Sequence, residues 1–76
     1  MQIYAIYDTI AQELGPIFEA KNDEVARRQA IYSLGKQNVN PKEFWVYRLG
    51  EIIRNDDKFE IRGLSPEKLE VNYETA

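Results

Sequence analysis

This chain contains no histidine and no cysteine, and that limits what its remaining reactive side chains can do. The hydroxyls of Thr9, Ser33, Ser65 and Thr75 have no imidazole to accept their proton. Ser33 with Lys36 is a conceivable Ser–Lys pair, but the spacing reads more simply as the end of a helix. Asp56, Asp57 and Glu60 gather oxygens in one turn, yet they lack the spacing and glycine of a calcium loop, and solvated turns are rich in such residues. Without cysteine there are no disulfides and no thiolate zinc or iron–sulfur sites. The glycines at 15, 35, 50 and 63 stand apart and form no phosphate cradle. These residues predict a protein that binds rather than catalyses, with no enzymatic activity, no cofactor and no metal.

The chemistry that remains is stacking beside positive charge. Proteins that grip single-stranded nucleic acid combine aromatic platforms with nearby cations. The segment from Phe44 to Arg62 supplies Phe44, Trp45 and Tyr47 together with Arg48, Arg54, Lys58 and Arg62. If Trp45, Tyr47 and Leu49 turn toward a helix, then Phe44, Val46 and Arg48 turn outward. Lys58 and Arg62 share that outer face if Phe59 and Ile61 point in, and Tyr4 can join them. Arg27 and Arg28 add charge on the exposed side of a helix. The candidate nucleic-acid-binding residues are therefore Tyr4, Arg27, Arg28, Phe44, Arg48 and Arg62. Strand aromatics also serve cross-strand packing, and that alternative stays open.

These side chains need elements to position them. Gln2–Tyr7 alternates with apolar groups on both faces, as a central covered strand does. Asp8-Thr9 ends it, Thr9–Leu14 is at most weakly helical, and Gly15-Pro16 reads as a turn. Ile17–Ala20 is a short extended piece with Phe18 inward. Asn22 is a good N-cap, with Asp23 and Glu24 where the helix dipole favours acids. The helix is expected to run to Leu34, with Gly35 as its stop. Val25, Gln29 and Tyr32 form one stripe, small Ala26, Ala30 and Ser33 lie beside it, and Ile31 falls toward solvent. Lys36–Lys42 is a polar loop. Phe44–Leu49 carries the strongest strand signal, and Phe44–Arg62 reads as a hairpin turning at Asn55–Lys58 and ending at Gly63. Ser65-Pro66-Glu67 reads as a helix start or a turn, and Leu69–Tyr73 as a short edge strand. The fold expected is α+β: a small antiparallel or mixed sheet of three to four strands with one main helix packed on one face. Residues 1–72 form a single domain, and 73–76 a frayed tail.

Bulk properties narrow the partners. At 76 residues the chain buries only about 60% of its unfolded surface, so a homodimer is an economical way to enlarge the core. A 43% hydrophobic, 12% aromatic composition is too apolar for a disordered chain. A net charge of −3 argues against affinity resting on a whole-surface basic field. The acid excess is concentrated from Ser65 onward, where Lys68 alone faces Glu67, Glu70 and Glu74, so a local basic patch on the body remains open. Met1-Gln2-Ile3-Tyr4 has no positive segment before an apolar run, so no signal peptide is expected. No apolar stretch reaches the ~20 residues of a membrane span.

Three blocks occur together in order: Tyr4-Ala5-Ile6-Tyr7-Asp8, then Gly15-Pro16-Ile17-Phe18-Glu19-Ala20-Lys21-Asn22-Asp23, then Tyr47-Arg48-Leu49-Gly50-Glu51. Their spacing over residues 1–54 resembles the small non-structural protein family of gokushovirus-type microviruses, phages with small circular single-stranded DNA genomes. In this chain Ile52-Ile53-Arg54 extends the strand where that family turns sooner. The resemblance implies a protein of the host cytoplasm, outside the virion, acting in genome replication as a DNA-binding factor or as a regulator of the switch to single-strand synthesis and packaging. It brings no catalytic motif. Two functions follow as expectations. One is binding of single-stranded DNA. The other is a protein–protein adaptor contacting a replication initiator or capsid precursor, a phage or host protein, without touching DNA.

Overall fold

The computed structural model of the chain describes residues 1–71. β1 (Gln2–Asp8) and β2 (Glu13–Ala20) form a hairpin, α1 (Asp23–Gln37) follows, and a 3₁₀ turn (Pro41–Glu43) leads into a second hairpin of β3 (Phe44–Asn55) and β4 (Lys58–Lys68). All pairings are antiparallel, and the sheet order is β2-β1-β3-β4. β1 is interior, as its two apolar faces predict. β3 outruns it: Gln2 at the start of β1 pairs with Glu51 and Met1 bonds Ile52, so from Ile53 onward β3 has β4 as its main-chain neighbour.

Several local expectations are corrected. Residues 9–12 are a turn rather than a weak helix, because the Asp8 carboxylate accepts the backbone N–H groups of Ile10 and Ala11 at 2.9 and 3.1 Å. These are donors a helix start would otherwise have to satisfy. Gln12 completes the turn at φ 57°. Gly15-Pro16 lies inside β2, where an edge strand tolerates proline. The register slips there, so that Ala5 faces Ile17 while Tyr7 faces Leu14. Likewise β4 runs through Gly63 and Pro66 to Lys68 instead of stopping at Gly63.

Asn22 caps α1 as expected, its side chain accepting from the Val25 N–H at 2.9 Å. The helix passes through Gly35 and closes at Asn38, which adopts φ 54° and donates its N–H to the Gly35 carbonyl. Asparagine tolerates that left-handed conformation, so glycine is not needed as the stop. The buried stripe is Ala26, Ala30 and Leu34. Tyr32 is 67% exposed and Ile31 half-buried, the reverse of their expected places. Leu69 is buried and its N–H bonds the Val46 carbonyl at 2.8 Å, but it is irregular, as are Glu70 and Val71. The rest of the expected Leu69–Tyr73 strand and the expected tail at 73–76 lie outside the described residues.

One buried cluster joins Ala26 and Ala30 of α1 to Tyr4, Ala20, Val46 and Leu69, with Ile6, Phe18, Val25 and Val71 packed against it. Alternate residues of a strand point to opposite sides. Tyr4, Ile6, Phe18, Val46 and Arg48 therefore share one side of the sheet, and Ile3, Ala5, Tyr7, Trp45 and Tyr47 share the other. At Gly50 the backbones of β3 and β4 approach so closely that a Cβ would lie 2.3 Å from the Arg62 carbonyl oxygen, so only glycine fits.

Candidate nucleic-acid interface

The orientation expected of the hairpin is reversed. Tyr4 and Val46 are 0% exposed, and Phe44 is half-buried. Tyr4 stacks on Phe18 at a ring-centroid distance of 5.8 Å, and its hydroxyl donates to Asp23 at 2.7 Å. Arg48 donates to both Asp23 carboxylate oxygens at 3.1 and 2.9 Å and to Glu67. Tyr4 cannot stack on a base from inside the cluster, and two carboxylates already satisfy Arg48. Hydrophobic alternation could not decide the orientation, because both sides of β1 and β3 carry apolar groups. The acids opening α1 decide it: they draw the one arginine of β3 near the helix start onto their side. The sequence shows the acidic first turn and the arginine, but not that the fold brings them within reach of each other, 25 residues apart.

The electrostatics fit a structural cluster. Burial is the main effect raising the Tyr4 phenol above its ordinary range, and the Asp23 carboxylate adds to it. Asp23 is held below the usual carboxylate range, chiefly by the Tyr4 hydroxyl and further by Arg48, against the opposing effect of its own partial burial. Burial works against the Arg48 charge, but Asp23 and Glu67 outweigh it and hold the guanidinium above its ordinary value.

The other predicted cations are scattered. Arg27 donates to the Glu70 carbonyl at 2.7 Å and lies 3.8 Å from Glu24. Arg62 pairs with Glu51 at 3.5 Å. Arg28 is exposed on α1. The six candidate residues do not form one exposed surface: Tyr4, Arg27 and Arg48 gather around Asp23, with Tyr4 buried.

A different set does converge. Tyr7 and Trp45 are cross-strand partners with centroids 6.2 Å apart. Tyr47 meets both edge-on, 6.2 Å from Tyr7 and 6.4 Å from Trp45. Lys68, paired with Tyr47 across β3 and β4, places its ammonium 4.1 Å from the Trp45 ring centroid, within cation–π range. Trp45 is 38% exposed and both tyrosines are half-buried. Beside Trp45 and Lys68 lies a cleft of about 210 Å³, also lined by Lys42, Phe44, Leu69 and Val71. The Tyr7 side continues through exposed Leu14 and Ile17 on β2 and Phe59 and Ile61 on β4. Its charged residues include the Arg54–Glu19 pair, at 2.8 Å.

Among the described residues no three acidic side chains are grouped so as to hold a metal ion, and no helix is long and apolar enough to cross a membrane.

Among the described residues, fold and surface together define a four-stranded antiparallel sheet with one α-helix and an aromatic cluster at its surface. The chain belongs to the phage ORF5 protein family, which it matches over residues 1–74. Comparison with curated proteins and with solved structures gives no match.

Proposed function

We propose that this phage protein binds single-stranded DNA on the Tyr7 side of its sheet, α1 serving as the cover of the Tyr4 side. In this reading it is a non-enzymatic, non-structural protein of the gokushovirus type, acting in the host cytoplasm during genome replication or packaging. The observation that carries the proposal is the contiguous group of Tyr7, Trp45 and Tyr47 with the Lys68 ammonium over the indole. Bases stack on the part-exposed indole and phenol rings, and Lys68 moves from the ring to a phosphate. Each base stacked on an aromatic ring contributes about 1–3 kcal/mol, so affinity comes from stacking more than from charge. That suits a chain with a net charge of −3.

Trp45 is the single tryptophan, so its fluorescence reports directly on the surface. Titration with a single-stranded oligonucleotide at low salt is expected to quench it. The affinity should fall only shallowly with rising salt, because few phosphates are neutralised. No quenching and no binding at low salt would sink the reading.

A second reading is favoured by the exposed apolar residues on that side, Leu14, Ile17, Phe59 and Ile61. Surfaces of this kind mark protein contacts, here an adaptor for a replication initiator or capsid precursor. Nuclease-resistant co-purification with one of those proteins from infected cells supports it; recovery that vanishes after nuclease treatment rules it out.

A further inference from the structure

We infer that two copies of this chain join edge to edge through β4, in one register centred on Ile61. β4 is the outer strand of the sheet, eleven residues long and exposed along its whole length. Beyond Ile52, which still bonds Met1, it shares with β3 a two-stranded ribbon that β1 no longer flanks, and two-stranded ribbons are marginal in water. An antiparallel copy of β4 turns the two ribbons into four continuous strands.

Side-chain chemistry favours a second copy as partner and, among the registers centred on Glu60, Ile61 and Arg62, the one centred on Ile61. Symmetry requires that residues facing each other across a two-fold axis normal to the sheet lie on the same side, so the axis must run midway between two copies of one residue and is named by that residue. An axis through Glu60 sets Glu60 against its own copy and Lys58 against Arg62. An axis through Arg62 sets two arginines together. Like charges directly opposite are destabilising. An axis through Ile61 instead sets Glu60 against Arg62 of the second copy, twice, and the two Ile61 side chains against each other. It also brings Phe59 opposite Gly63, where a Cβ would meet nothing within 4 Å, which leaves room for the ring. Phe59 is 70% exposed and Ile61 63%. An aromatic ring over a cross-strand glycine is a recognised way to stabilise an edge. The strand is thus complementary to itself, which singles out a second copy over an unrelated partner. The sheets join with both Tyr7 sides on one surface.

The inference does not depend on DNA, and its test is made without DNA. Light scattering on the full chain is expected to give a dimer mass at high concentration. Glu60→Arg or Arg62→Glu alone should return the monomer, and the double exchange should restore the dimer. Melting curves of each variant check that the hairpin still folds. A chain without native cysteine makes Ile61→Cys a clean probe. Opposed Cα atoms in antiparallel strands are about 4.5–5.5 Å apart, within disulfide range, so oxidised Ile61→Cys should cross-link into dimers while Phe59→Cys should not. A monomer mass at all concentrations, equal cross-linking at both positions, or failure of the charge exchange to restore the dimer overturns the inference. A monomer that still quenches with oligonucleotide leaves the DNA reading intact.

Discussion

The two sides of this sheet carry nearly the same residue types and use them in opposite ways. On the Tyr4 side a tyrosine and an arginine are spent on structure: Tyr4 is buried with its hydroxyl on Asp23, and Arg48 spans Asp23 and Glu67. On the Tyr7 side two tyrosines and a tryptophan meet at the surface, with a lysine resting on a ring rather than on an acid. Residue type therefore says little about role. What separates the sides is where the polar ends of the side chains find partners. The carboxylates of the helix start consume the donors on one side, and the other side has few acids to do so.

The sharpest way to break this contrast is to remove Tyr4. Tyr4→Ala takes a fully buried ring from the cluster, a change costing about 3–5 kcal/mol. Total stability for a chain of this length is about 4–11 kcal/mol. Urea denaturation followed by circular dichroism should show the variant largely unfolded or with a greatly lowered midpoint; an unchanged midpoint would place Tyr4 outside the core.

Next in size is the hydroxyl alone. Tyr4→Phe keeps the ring and deletes a hydrogen bond to a carboxylate, worth roughly 1.5–3 kcal/mol. It should also change the pH profile. The Asp23 carboxyl lies lower in the folded chain than in the unfolded one. Its contribution is therefore present above about pH 4 and lost as the pH falls toward the folded value. The Tyr4 phenol lies higher when folded, so its contribution is present below about pH 10 and lost as the pH rises past that. Melting temperature against pH should fall at both ends. Tyr4→Phe should remove the alkaline limb and also shrink the acid limb, because the Tyr4 hydroxyl is the main effect lowering Asp23, whereas Asp23→Asn should remove the acid limb.

On the other side the expected effects move from stability to binding. Tyr47→Ala should weaken oligonucleotide affinity by roughly 1–3 kcal/mol, read as a shifted midpoint in Trp45 quenching. Equal affinities of the variant and the parent would leave the aromatic group as packing only. The smallest effect is expected at Arg28, exposed on α1. Arg28→Ala should alter stability by no more than about 0.5 kcal/mol and leave the DNA titration where it was. A clear loss of affinity would bring α1 back into the interface.

Much of the architecture was legible in the sequence because it rests on short-range signals. Asn22 announces the helix, the period-two runs announce β1 and β3, and Asn55–Lys58 announces the turn between β3 and β4. The errors arose where a long-range partner overrides a local preference. Gly15-Pro16 and Ser65-Pro66 read as breaks, but both belong to the outer strands β2 and β4, where proline's missing N–H costs the ladder nothing. Gly35 looked like a stop until Asn38 supplied one a turn later. The candidate surface was legible in composition and reversed in orientation. Phe44–Leu49 has the aromatics and the arginine, but only the Asp23–Arg48 contact, between residues 25 apart, decides which of them face α1.

Asp23 also bears on how the chain folds. Tyr4 of β1, Arg48 of β3 and, through Arg48, Glu67 of β4 all converge on this one residue at the start of α1. These four positions are spread along almost the whole described chain, so no subset of consecutive elements can complete the network. Contacts of such long sequence separation close late and slow the search for the native state. The cluster acts as a closing clasp: hairpins can form and dissolve without it, but the native state is held against unfolding once β1, β3, β4 and α1 have met.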